Sequence, residues 1–139
     1  MRLKYCLIVV AVLLGSTPLA ADDLTGSDRF LCSATQALGC IDGAECYAVA
    51  LRDINLPEFI EIDLEQGTLS TTEASKENRT TVIQHQARED GLLYLQGLQL
   101  ERAFSIVIGE TTGRLSATIV TDGIGVVVFG VCTPMPTSS

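Results

Sequence analysis

The chain runs to 139 residues, with nine basic and seventeen acidic side chains and a formal net charge of −8 at pH 7. That excess argues against nucleic acid and anionic lipid as partners, since both would be repelled. One histidine, no tryptophan and five cysteines narrow the available chemistry further.

Met1 to Ala21 has the three parts of a secretory signal peptide: Arg2 and Lys4, the apolar run "YCLIVVAVLL", then Gly15, Ser16 and "PLAA". The run spans roughly ten residues where a membrane helix needs about 20, so removal is expected and a stable anchor is not. Cys6 lies at the start of the apolar run, whereas a lipid-bearing cysteine would follow it. Loss of residues 1–21 removes Arg2 and Lys4 and leaves a charge of 7 − 17 = −10. About 118 residues remain, enough for one core. The expected organisation is a flexible lead-in over 22–28, a single domain over 29–132 and a flexible tail, "TPMPTSS", over 133–139. The expected location is periplasmic or secreted.

Along the exported part, segments alternate with period two and end at Gly, Asp or Asn, the pattern of short antiparallel strands. "RFLCSATQ" and "CYAVAL" are strands on either side of a small cysteine loop. "RDINLP" is a one-turn connector ended by Pro57. "FIEIDLE" and "TLSTTE" form a hairpin about Gln66 and Gly67. "EASKENR" has one apolar residue, Ala74, and no helical stripe, so it is an exposed loop. "TTVIQHQA" and "LLYLQG" flank "REDG". "RAFSIVI", "RLSATIV" and "IGVVVFGVC" form a meander whose turns are "GETTG" and "TDG". Phe104, Ile106 and Ile108 fall on one face, as do Leu115, Ala117 and Ile119. Val126 to Phe129 are apolar on both faces, which predicts a strand covered on both sides, with an exposed apolar patch as the alternative.

Open sheet edges invite aggregation, so consecutive hairpins are expected to close on themselves. The predicted fold is all-β: an up-and-down antiparallel barrel of about eight strands, with a two-sheet sandwich as the alternative.

Without Cys6, four cysteines remain: Cys32, Cys40, Cys46 and Cys132. In an exported chain disulfides are the default. The spacings C-x₇-C and C-x₅-C suit neither a zinc knuckle nor a redox C-x-x-C pair. Three pairings are possible. The turn signal Asp42-Gly43 within "IDGAE" favours Cys40 with Cys46, leaving Cys32 with Cys132 to join the first strand to the last.

His85 alone cannot build a metal cluster, and alternation puts it on one face with Ile83 and Ala87, a structural position. No G-x-S-x-G elbow is present in the exported part. "GIGVVVFG" lacks the following helix that phosphate binding needs. "NRT" at Asn78 matches the N-glycosylation acceptor. The sharpest candidate is acidic: Glu61, Asp63 and Glu65 share one strand face about 7 Å apart, with Ile60, Ile62 and Leu64 on the other. Such a stripe is a solvated outer face, a dock for a basic protein or a weak Ca²⁺ site. No catalytic residue and no cofactor is implied.

The ending "FSIVIGETTGRLSATIV…VVVFGVCTP", with "LPEFIEIDL" and "LYLQG", resembles a set of small uncharacterised exported proteins of Gram-negative bacteria. More loosely, "RFLC" and "VFGVC" resemble the layout of the C-type lysozyme inhibitors, small β-barrels with bridged cysteines near both ends. The first resemblance implies no activity, and the second implies inhibition of a basic hydrolase. The expected function is non-catalytic binding. Alternatives are an inhibitor of a hydrolase such as lysozyme and, behind it, a carrier of a small apolar ligand, which needs an emptier interior than these Val-, Ile- and Leu-rich strands suggest.

Overall fold

Alternating apolar and polar residues fold into ten strands within residues 22–136, the part described by this computed structural model. They are β1 (Arg29–Ile41), β2 (Tyr47–Ala48), β3 (Phe59–Asp63), β4 (Thr68–Thr71), β5 (Thr80–Val82), β6 (His85–Glu89), β7 (Leu92–Gln99), β8 (Arg102–Gly109), β9 (Arg114–Thr121) and β10 (Ile124–Pro134). The signal segment over 1–21 and the end of the tail, 137–139, lie outside the described residues.

All pairings are antiparallel, in the order β5-β4-β3-β1-β10-β9-β8-β7-β6, with the short β2 beside β1. The two end strands of that order are consecutive in the chain. Between them, the Ile83 N–H donates to Gly67 O at 2.8 Å and the Gln84 N–H to Gln96 O at 2.9 Å. The segment 80–89 therefore bonds to β4 with its first half and to β7 with its second, and the meander curls into a barrel. This is the predicted up-and-down arrangement, with β1 and β10 joined along eleven register pairs.

The bend at Ile83 and Gln84 shifts the alternation. Ile83 is buried, but His85 and Ala87 are exposed. His85 therefore does not share a face with Ile83 as simple period two implies. It lies on the outer surface opposite Gln96.

Both predicted disulfides form, Cys32–Cys132 and Cys40–Cys46. Cys32 and Cys132 are direct register partners inside the barrel, while Cys46 is exposed in the small loop. The bonds place the chain in an oxidising compartment. Among the described residues, no helix is long and apolar enough to cross a membrane.

The expected flexible lead-in, 22–28, instead seals one end of the barrel. Leu24 is 1% exposed and its N–H donates to Glu110 O at 2.6 Å. Arg88 pins the segment by donating to Ser27 O at 2.6 Å and to Asp28 Oδ1 at 3.1 Å, and it pairs with Glu110 at 3.2 Å. Burying a leucine is one physical reason, contributing about 1.5–3 kcal/mol, and the Arg88 bonds add to it. The tail also starts later than expected. Thr133 and Pro134 belong to β10, and the Met135 N–H donates to Arg29 O at 2.9 Å.

The sealed half of the core is filled by Phe30, Ile62, Leu93, Leu95 and Ile108, all at most 2% exposed. Phe104, Ile106, Leu115, Ala117, Val126 and Val128 face inward as alternation requires. The outer face of β10 corrects the expectation of double coverage: Phe129 and Val131 are 41% and 42% exposed. A barrel is one layer thick, so an outward side chain has only its strand neighbours for shelter.

Candidate functional site

The acidic stripe does not survive as three equivalent carboxylates. β3 ends at Asp63, so Glu65 lies in the turn that follows and only Glu61 and Asp63 share the outer strand face. Asp63 is engaged on both oxygens: Oδ2 is 3.4 Å from Arg29 Nε, and Oδ1 accepts the Gln66 N–H at 2.9 Å. Glu61 lies between Leu31 on β1 and Ser70 on β4 in register and has no ion-pair partner among the described residues. Among those residues no group of three or more His, Cys, Asp or Glu is placed to hold a metal ion.

The interior offers the stronger site. In the half of the barrel opposite Leu24 the core leaves a partly open cavity of about 110 Å³. Its walls include Ile60, Leu69, Ile106, Leu115, Ile119 and Val128, and they are overwhelmingly apolar. Small residues at inward positions explain the empty volume. Ala34 and Ala117 line the cavity, and Ala37 is buried in the row that also contains Ala117 and Val128.

Two glycines set the wall. A Cβ on Gly97 would come within 2.7 Å of the Phe104 ring and 2.9 Å of Val82 O, so its absence lets that ring approach the β7 backbone. A Cβ on Gly130 would collide with Ser33 O, where β1 bulges at Thr35 between its pairings to Gly130 and Phe129.

The connector from β2 to β3 lies over this end. It contains a 3₁₀ turn, Leu51–Ile54, and its Val49, Leu51, Ile54 and Leu56 pack against the core. Two arginines bind its backbone. Arg102 Nη1 donates to Ile54 O at 2.8 Å, and Arg79 Nη1 donates to Asn55 O at 3.1 Å. Arg79 Nη2 also donates to Asn55 Oδ1 at 3.3 Å and pairs with Glu77 at 2.6 Å.

Arg79, Thr81, Gln99 and Arg102 line the cavity from positions where alternation demands inward residues. Arg102 has the parity of Phe104 and Ile106, Gln99 that of Leu93 and Leu95, and Arg79 and Thr81 that of Ile83. Gln99 and Arg102 are register partners, joined by a two-residue turn. That turn is strained: Leu100 and Glu101 have φ of 50° and 62°, left-handed values that bulky residues avoid. Polar residues continuing an inward apolar series are visible in the sequence, Arg102 at the start of "RAFSIVI" and Gln99 once "LLYLQG" is extended by two residues. The missing signal was the turn, which contains no Gly, Asn or Asp.

Comparison of the chain with protein-family models, with curated proteins and with solved structures returned no match.

Proposed function

We propose that this chain is an exported, periplasmic or secreted, non-catalytic binding protein that holds one small apolar ligand inside its barrel. The observation that carries the proposal is the apolar cavity of about 110 Å³, bounded by β-strand walls and lined by a few polar residues, Arg79, Thr81, Gln99 and Arg102 among them. An apolar cavity of about 150 Å³ is dry and holds a benzene ring, so the volume suits a ring or a short aliphatic chain of five or six carbons. A concave apolar space with a few polar groups at one end is the usual form of a small-molecule site. The reading ranks above docking of a basic hydrolase because Asp63 is already paired with Arg29 and Glu65 has left the strand.

The test is calorimetric titration of the exported chain with hexan-1-ol. Binding of one molecule per chain is expected. Ala117→Leu, which adds three carbons to the cavity wall, is expected to abolish it while the melting temperature stays level or rises. Ala34→Val serves as a milder filling. Absence of binding by the unmutated chain would refute the proposal.

A further inference from the structure

We infer that the interior ligand carries a single anionic head group, a carboxylate on a short aliphatic chain, and that Arg102 binds it. This rests on the interior being the ligand site. Two arginines line the cavity, and their guanidinium groups differ in availability. Arg79 is committed to the Glu77 carboxylate at 2.6 Å and to both oxygens of Asn55. Arg102 makes one hydrogen bond, to Ile54 O, and has no carboxylate within ion-pair distance among the described residues. A guanidinium carries five N–H donors in a planar fork, so donors remain for a carboxylate.

The lack of a partner is informative in this chain. Acidic residues outnumber basic ones by ten beyond residue 21, and four of the seven arginine and lysine side chains there form ion pairs. Arg102 is half-buried at an inward position of β8, where an apolar residue would extend the series of Phe104, Ile106 and Ile108. Glu58 also lines the rim but is exposed and forms no ion pair with Arg102. Beside Arg102, Gln99 supplies an amide. Thr81, 7% exposed, supplies a hydroxyl on the cavity wall that forms no hydrogen bond among the described residues. Cation, amide and hydroxyl at one end of an apolar chamber match a ligand with an apolar body and one anionic end.

Three probes of equal length separate head group from chain: hexanoate, hexan-1-ol and hexylamine, each titrated calorimetrically into the exported chain at low ionic strength. Hexanoate is expected to bind about tenfold more tightly than hexan-1-ol, and hexylamine more weakly than both. Arg102→Gln is expected to erase the hexanoate advantage by lowering hexanoate affinity far more than hexan-1-ol affinity, while Arg102→Lys retains part of it. Equal affinities for hexanoate and hexan-1-ol, or a preference for hexylamine, would overturn the anionic head group and leave the interior a site for other ligands. A hexanoate advantage that persists in Arg102→Gln would overturn the role of Arg102. No binding of any probe would overturn the interior site itself. Should Arg102→Gln fail to fold, the ranking of the three probes on the unmutated chain decides the head group alone.

Discussion

Cys32 and Cys132 stand directly opposite each other in the β1–β10 ladder, 4.0 Å apart at Cα although 100 residues separate them. Their bond lies at the seam that closes the barrel. Cys40 and Cys46, six residues apart, close only a surface loop. In the chain-entropy account the long closure contributes about 4.7 kcal/mol and the short one about 2 kcal/mol. Replacing Cys32 and Cys132 by alanine should therefore lower the denaturation midpoint well below that of the Cys40, Cys46 double alanine variant, as measured by urea titration. Equal losses would mean that the seam is held by its hydrogen bonds and packing alone.

The Leu100-Glu101 turn holds two side-chain-bearing residues in left-handed conformations. Such positions cost L-residues about 1–2 kcal/mol each, and glycine is exempt. Leu100→Asn with Glu101→Gly should stabilise the protein by about 1 kcal/mol or more in thermal unfolding, an uncommon direction for a double substitution. Leu100 is 61% exposed, so little packing is lost. Destabilisation would contradict the strain assigned to this turn.

Glu61 and Asp63 lie on one strand face and should respond differently. Asp63 holds Arg29 and the Gln66 N–H, with its side chain 19% exposed. Asp63→Asn should lower stability by about 0.5–1.5 kcal/mol, whereas Glu61→Gln should leave the melting temperature within error. A matched pair of effects in calorimetry would contradict the ion-pair assignment.

Strand alternation and most turns were legible from local signals, period two and Asp-Gly or Gly turns, while the closing order and the disulfides followed from the need to cover open edges and from the four cysteines beyond residue 21. Asp90 and Gly91, for example, take the paired positive φ values of 52° and 76° that a two-residue hairpin requires. The rest depended on non-local geometry. The hinge at Ile83 and Gln84 inverts the strand's faces, so His85 could not be placed by counting from Ile83. Leu24 looks like one apolar residue in a polar lead-in, and only the open end of a barrel gives it a place to go. Nor does composition reveal the cavity. The strands are rich in Val and Ile, but Ala34 and Ala37 on β1 and Ala117 on β9 fall on inward positions on either side of β10, and their joint effect on volume appears only in the assembled register.

The central claim, that the barrel interior is a binding site, is tested most directly by methyl-resolved NMR of the exported chain titrated with hexan-1-ol. Saturable shifts are predicted at Ile60, Ile106, Ile119 and Val128, which line the cavity, with little change at Val82 and Val131, which are exposed on the outer surface. Shifts confined to Val82, Val131 and other outward methyls, or no saturable shift at any methyl, would contradict it.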